Sequence, residues 1–392
     1  MDRTDDTLIP ADTSWLADPR GQMVCRAIAA GGHQILFVGG CVRNALLGLP
    51  DSDVDLATDA LPEGVMALAG KAGLKSIPTG IDHGTVTLVV DGHPFEVTTF
   101  RRDVETDGRR AVVAFSTDIA DDARRRDFTM NALYAMPDGR VVDPLGGLPD
   151  LRARRLRFIE DPVARIREDY LRILRFFRFS AYFSDASQGF DPDALSAIAR
   201  NVEGVHQLSA ERIGTEMSKL LAAPYPAPAL AAMQHTGVLP HLLPGAEDRW
   251  IGPMVHLEGA LGIAPDWRGR LAILGGQNPA MRWRLSKADA VFLDLLSTSG
   301  FAGVPLPELA YRHGIGAAQQ ALLLRAAMAG MPPDPMILDR LQAAGSAVFP
   351  LRAADLMPDL QGPDLGRKLA ELEQRWIDSG FALDRAALLE LR

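Results

Sequence analysis

The chain has 392 residues, of which 47% are hydrophobic and 23% charged, and a formal net charge of −9 at pH 7. That length accommodates two or three domains with sizeable cores, and the composition is that of an ordinary soluble globular protein. The acidic balance excludes indiscriminate nucleic-acid binding, yet leaves room for a local basic groove.

Residues 1–34 read as a helical lead-in. The opening Met-Asp-Arg-Thr-Asp-Asp lacks the basic region and apolar core of a signal peptide. No apolar run is long enough to span a bilayer. Cys25 and Cys41 are too few for a disulfide framework and are not spaced as metal ligands, so a cytoplasmic, reducing location is expected and no membrane association.

The segment from Leu36 to Asp55 reads as a strand, a glycine turn, a short helix from Cys41, and a second strand carrying Asp53 and Asp55. Residues two apart on a strand share a face. Two carboxylates side by side are costly unless a cation sits between them, and an open, oxygen-rich site of this kind suits Mg²⁺ shared with substrate phosphates. Gly39 and Gly40 allow a tight turn and room for a ligand. The helix N–H groups, with Arg43 one turn in, would accept an anion. Taken singly, the paired aspartates can cap a turn and the glycines can be plain turn chemistry.

Next, Thr85–Val90, Asp91-Gly92 and Phe95–Phe100 predict a β-hairpin. Glu96 in its second strand either faces solvent or, as a third ligand, completes a site holding two metals, one lowering the pKa of an attacking hydroxyl and the other steadying the leaving oxygen. The run Arg124-Arg-Arg-Asp-Phe-Thr-Met-Asn-Ala-Leu-Tyr134 predicts three arginines and an aspartate ahead of an apolar helix. Asp127 is there either an N-cap or an acceptor for a ribose hydroxyl, with Arg126 holding triphosphate oxygens. Val141–Leu151 closes the sheet.

From Glu168 to Phe179, Arg172, Arg175 and Arg178 recur every three residues among large apolar side chains. A helix apolar nearly all round part-buries its arginines, and buried charge requires a partner. Three-residue steps drift about 60° around a helix. Asp169 and Arg172 are therefore expected as neighbours, with Arg178 pointing elsewhere. A carboxylate only accepts hydrogen bonds and a guanidinium only donates them, so this pair matches the donor–acceptor edge shared by cytosine and adenine and rejects uracil and guanine. The alternative is an ordinary i,i+3 ion pair. From about residue 160 onward the pattern is helical, broken by Pro and Gly, with a boundary expected at Pro224-Tyr-Pro-Ala-Pro228.

Together these segments resemble the class II tRNA nucleotidyltransferases, the family of CCA-adding enzymes and bacterial poly(A) polymerases. The resemblance rests on Gly39-Gly-Cys-Val-Arg43 with Asp53 and Asp55, on Arg125–Ala132, on Glu168–Arg172, and on Leu208–Leu221, which is similar to a helical motif whose glutamate and arginine brace the neck. Asn44 stands where the family usually has Asp. The resemblance implies an α+β fold, with a nucleotidyltransferase head on a small mixed sheet (35–150), then an all-helical neck that selects the base (151–222), a body (223–300) and a tRNA-binding tail (301–392). It implies catalytic carboxylates Asp53, Asp55 and Glu96, a metal on Asp53 and Asp55, and nucleotide contacts from Gly39, Gly40, Arg43, Arg126, Asp127, Asp169, Arg172, Arg175 and Arg178. The expected reaction adds C, C and A from CTP and ATP to tRNA without a nucleic-acid template. The polar stretch Arg101–Arg110 resembles the family's flexible loop, needed there to switch from C to A addition, which argues against a CC-only enzyme; a partial CC- or A-adding enzyme stays an alternative. A poly(A) polymerase tends to carry a basic extension, whereas residues 301–392 hold nine Lys or Arg against eleven Asp or Glu. A non-catalytic RNA-binding protein is disfavoured because all three carboxylates are present.

Overall fold

Strands β1 (Ile35–Val38), β2 (Asp55–Thr58), β3 (Lys75–Gly80), β4 (Thr85–Val90) and β5 (His93–Thr99) are followed by β6 (Arg101–Asp107), β7 (Arg110–Phe115), β8 (Tyr134–Ala135) and β9 (Val141–Val142). The computed structural model describes residues 7–107, 110–301, 303–357 and 359–391. Seven strands form one sheet in the order β3-β4-β5-β2-β1-β8-β9. β2 and β5 run parallel and the other neighbours antiparallel, so the sheet is mixed as expected. β1, buried at every position, is flanked on both sides, which is what a short all-apolar run demands. The β4–β5 hairpin turns through Asp91 and Gly92, both at positive φ (49° and 80°), the conformation that favours Asp-Gly.

Helices α1 (Ser14–Ala17) and α2 (Pro19–Ala29) form the lead-in. Asp18 caps α2 by accepting the Arg20 N–H, with Pro19 at the first turn. α3 (Gly40–Leu47) follows β1, and α4 (Pro62–Lys71) packs with α2 against the sheet. The polar stretch 101–110 contributes β6 and the first residue of β7, and the two strands pair antiparallel from Arg101–Phe115 to Asp107–Arg110. Its residues 108 and 109 lie outside the described residues.

After α5 (Ile119–Arg124) the structure departs from the predicted apolar helix. Residues Thr129–Asn131 make a single 3-10 turn and the chain then enters β8. Phe128 through Ala135 are all buried, and a segment buried on every side has no periodicity to distinguish helix from strand.

The neck region begins with α6 (Leu148–Arg152) and α7 (Pro162–Glu168), then α8 (Leu171–Phe183) and α9 (Pro192–Arg200). The predicted continuous helix from Glu168 is interrupted at Asp169, which is extended (φ −155°, ψ 108°). The Asp169 carboxylate accepts the Leu171 N–H at 3.0 Å and restarts the helix there. This is the local competition with helical bonding at which Asp excels. Phe128, Phe158 and Phe176 pack under α8, with ring centroids 5.0–6.1 Å apart. Gly204, in the 3-10 turn Val202–Gln207, lies against Tyr170 so closely that a Cβ would fall 1.9 Å from the ring.

The chain divides into two compact units, residues 1–209 with 235–242, and residues 210–234 with 243–392. The first includes the sheet, α1–α9 and, after α10 (Ala210–Leu221) and α11 (Pro226–His235), the short α12 (Val238–Leu242). In the second unit, Arg270 is buried and paired with Glu258 at 2.5 Å. It also donates to the Leu221 and Ala223 carbonyls at 2.6 Å, which satisfies the end of α10. Leu351, Leu372, Trp376 and Leu388 form a separate cluster near the C-terminus. No helix among the described residues is long and apolar enough to cross a membrane.

Candidate active site

Asp55 opens β2 directly opposite Glu96 of the parallel neighbour β5. Partners in parallel register project to the same face. Asp53 lies just before β2 rather than in it, because Asp55 already pairs with Val38, the last residue of β1. Exposure nonetheless alternates through Asp51, Asp53 and Asp55, so the two predicted ligands stay on one side of an extended segment. Loss of surrounding water, the neighbouring Glu96 carboxylate and, more weakly, Asp53 raise the pKa of Asp55 above its ordinary value, against the pull of Arg126. Asp55 thus feels both of the other carboxylates. Carboxylate donors in an open arrangement fit a hard divalent cation that shares its shell with phosphates.

Facing them is the start of α3. Gly39 is at φ 76°, and the Arg126 guanidinium lies 3.5 Å from where its Cβ would stand. A Cβ on Gly40 would come within 2.7 Å of Ser52 Oγ. The glycine pair therefore lets the turn approach both Arg126 and the segment leading to Asp53. Arg43 is buried; it donates to Asn131 Oδ1 at 2.6 Å and to Asn44 Oδ1 at 2.8 Å and lies 4.0 Å over the Phe183 ring. Burial lowers its pKa to about 10; Asp127 works against this, and Arg178 and Arg175 add to it. Asn44 also donates to the Pro50 carbonyl at 2.8 Å. An aspartate at 44 has no proton to give there.

Arg126 is fixed from behind. Its guanidinium donates to Asp122 at 3.1 Å and to Tyr134 Oη at 3.2 Å, and Tyr134 donates to Asp122 at 2.7 Å. Although burial opposes ionisation of Asp122, Arg126, Arg125 and the Tyr134 hydroxyl hold its pKa down to about 2. Asp127 is buried and engaged: Arg175 donates to it at 2.7 Å and Asn131 at 2.9 Å. These bonds hold its pKa below the usual carboxylate range despite the cost of burial.

Along α8, positions 172, 175 and 178 are all half-buried, as expected for arginines on an apolar helix. The pairing differs in detail from the sequence expectation. Arg172 pairs with Glu168 at 2.5 Å and donates to the Arg165 and Arg125 carbonyls at 2.9 and 3.1 Å. Asp169 ends α7 and accepts the N–H of Leu171, the first residue of α8, because the break puts it outside the helix whose spacing was used to place it. Arg178 lies 4.4 Å over the Phe179 ring and within the field of Arg43, so it is not turned away from the other arginines.

Comparison with known proteins bears on this arrangement. Residues 35–157 match the family model described as the poly A polymerase head domain, and residues 189–249 match a probable RNA and SrmB-binding site of polymerase A. The CCA-adding enzyme of Geobacillus stearothermophilus is 36% identical over 317 residues, covering 78% of this chain and 76% of that protein. The chain belongs to the CCA-adding enzyme family. The mitochondrial CCA tRNA nucleotidyltransferase 1 of Mus musculus is 40% identical over 55% of this chain, and the match spans only half of that protein's length. The crystal structure of the Bacillus stearothermophilus CCA-adding enzyme in complex with CTP superposes with a TM-score of 0.70 at 28% identity, covering 92% of this chain and 94% of that one. The nucleotidyltransferase head with a helical remainder, expected from the sequence, is thereby borne out, and family members generally use a divalent metal.

Sequence reasoning missed the residues that hold this family's arginines in place here. Asp122 and Tyr134 flank the Arg124–Asp127 run, Asn131 follows it, and Glu168 was read only as part of a motif. The only available signal was a buried-looking aspartate four residues before Arg126 on a helix-compatible spacing.

Proposed function

We propose that this chain is a CCA-adding tRNA nucleotidyltransferase, which extends the tRNA 3′ end with C, C and A from CTP and ATP and releases pyrophosphate. The observation that carries the reading is the register of Asp55 against Glu96 beside Asp53, facing the glycine turn at which Arg126 is held. In this reading Asp53 and Asp55 hold Mg²⁺, with Glu96 as the third carboxylate. The bound cation supplies Lewis-acid activation of the attacking 3′-hydroxyl and of the leaving pyrophosphate.

The chain's own groups do the positioning. Arg126, braced by Asp122 and Tyr134, presents its free edge at Gly39 to triphosphate oxygens. The N–H groups of α3 after Gly39 and Gly40 add to that cradle. Arg43, Arg175 and Arg178 surround Asp127 and Phe179 with positive charge suited to a polyanion. Asp127 orients Arg175, and in this reading a ribose hydroxyl takes the place of one of the four donors, from Arg175, Asn131 and the Phe128 N–H, that its oxygens accept. Asp169 and Arg172, at the start of α8, read the Watson–Crick edge of C or A. Glu168 and the Arg165 and Arg125 carbonyls fix the Arg172 fork in one orientation. Residues 35–150 form the catalytic head, 151–222 the base-selecting neck, and 223–300 and 301–392 the tRNA-binding body and tail. A cytoplasmic location fits two buried, free cysteines.

The test is incubation with tRNA lacking its last three nucleotides, with sequencing of the products. Full CCA ends support the reading. Arrest after two cytidines would mark a partial enzyme, and long A-tails on unstructured RNA would mark a poly(A) polymerase. Base reading is tested by Asp169→Ala with Arg172→Ala, which is expected to raise UTP and GTP incorporation relative to CTP and ATP by about tenfold or more. A folded double variant with unchanged selectivity would give that role to other residues.

A further inference from the structure

Away from the sheet, Glu203, His206 and His241 bring three ligand atoms within 4.8 Å of one another, the only such group of three His, Cys, Asp or Glu among the described residues. Glu203 and His206 are three apart in the 3-10 turn Val202–Gln207. In a 3-10 helix, residues i and i+3 stand one above the other, so the turn itself stacks a carboxylate on an imidazole. His241 enters from α12, in the segment 235–242 that returns to the first unit. Its Nε2 is 3.6 Å from Glu203 Oε1, and its ring centroid is 5.3 Å from that of His206.

The orientation of His241 is fixed on the far side of the ring. Its Nδ1 is 2.7 Å from the Gly237 carbonyl, which can only accept, so Nδ1 carries the proton and the Nε2 lone pair faces the cluster. A backbone carbonyl that fixes the tautomer is the usual outer support of a metal-ligating histidine. Gly237 reaches this position at φ 80°, in the turn before α12.

We infer that Glu203, His206 and His241 form a binding site for a single Zn²⁺ ion, separate from the carboxylates of the sheet. Two imidazoles and one carboxylate are a nitrogen-rich donor set that suits Zn²⁺ and leaves one position of a tetrahedron open; Mg²⁺ requires oxygen. Ligand atoms about 2.0–2.1 Å from zinc stand roughly 3.3 Å apart. Glu203 and His206 are exposed, so side-chain rotation closes the remaining gap without moving backbone. The ion would clip the 202–207 turn to α12 and hold the returning segment against the first unit.

The experiment titrates Zn²⁺ into the metal-free full-length protein by calorimetry and records the visible spectrum with Co²⁺ in its place. Expected are one site per chain, submicromolar Zn²⁺ affinity, tetrahedral Co²⁺ bands, and slower amide exchange over 235–242 on metal addition. His241→Ala and His206→Ala should each weaken binding about tenfold or more, while Asp53→Ala leaves it intact. Glu203→Gln, a swap on an exposed side chain, should also weaken binding and keeps the test open if a histidine variant misfolds. Affinity no tighter than about 100 μM, or unchanged in the folded His206→Ala/His241→Ala double variant, would overturn the assignment.

Discussion

Two carboxylates of the same head, Asp55 and Asp122, are driven in opposite directions. Asp55 sits among other carboxylates and binds its proton more tightly than an ordinary aspartate. Asp122 sits among guanidiniums and a phenol hydroxyl, and its pKa falls to about 2. The first group, at neutral pH, stores repulsion that an added cation relieves. The second is satisfied within the protein and serves as scaffold. Unmatched charge at the sheet end and matched charge behind it divide the site into a place for ligand and a frame around it.

The sharpest way to separate the two is to remove them. Asp53→Ala or Asp55→Ala should lower incorporation of every nucleotide by about 10³-fold or more, as loss of groups acting on developing charge does. The same variants should melt no lower than wild type without metal, because a repelling carboxylate has gone. A variant within tenfold of wild-type activity would place the metal elsewhere. Asp122→Ala should act mainly on the fold. Depriving the half-buried Arg126 of its carboxylate, with Tyr134 left as its brace, should cost about 3 kcal/mol in urea unfolding, and a loss below about 1 kcal/mol would refute the scaffold role.

The two carboxylates also respond oppositely to pH. Asp122 has a folded pKa below its unfolded one, so its contribution of about 2–3 kcal/mol is complete above roughly pH 4 and lost as pH falls toward 2. Asp55 has a raised folded pKa, so its ionised form is the destabilising one and protonation relieves it as pH falls through that value. Mg²⁺ should therefore raise the melting temperature more near pH 7.5 than near pH 4.5, and an Asp55→Asn protein should lose most of that difference. The smallest effect is expected at Asn44, which joins Arg43 to the Pro50 carbonyl. Asn44→Asp keeps the acceptor for Arg43 but sets a carboxylate against that carbonyl. A stability change of about 1 kcal/mol is expected, with KM for nucleotide rising several-fold and kcat nearly unchanged. Equal falls in kcat and kcat/KM would instead implicate Asn44 in the chemical step.

Much of this frame was legible in the chain. The β1–α3–β2 segment and the hairpin through Asp91-Gly92 follow from period-two patterning and turn chemistry, both of which are local, whereas Glu96 is drawn to Asp55 only by the family resemblance, because a parallel pairing 41 residues apart leaves no local signal. What the sequence hid is set by tertiary competition. Phe128–Ala135 is buried on all sides, Thr129 and Asn131 included, so its 3-10 turn and strand carried no periodic signature. Asp169 stands in a run of helix formers, but its carboxylate captures the Leu171 N–H and ends α7 one residue earlier. That single side-chain bond moved the partner of Arg172 from Asp169 to Glu168. The Arg126–Asp122–Tyr134 triad joins a helix to a strand, a contact that spacing does not encode.

Gly204 gives the neck a tuning point that never touches a nucleotide. The Tyr170 ring occupies the volume of the missing side chain, and Tyr170 is the residue from which α8 sets out. Any side chain at 204 evicts that ring and nudges the first turn of α8, where Asp169 and Arg172 lie. Fidelity in choosing C and A would then drift through a hydrogen-to-methyl change across the neck. Gly204→Ala should show this as UTP misincorporation at wild-type metal dependence, and unchanged selectivity would mean that the helix start absorbs the push.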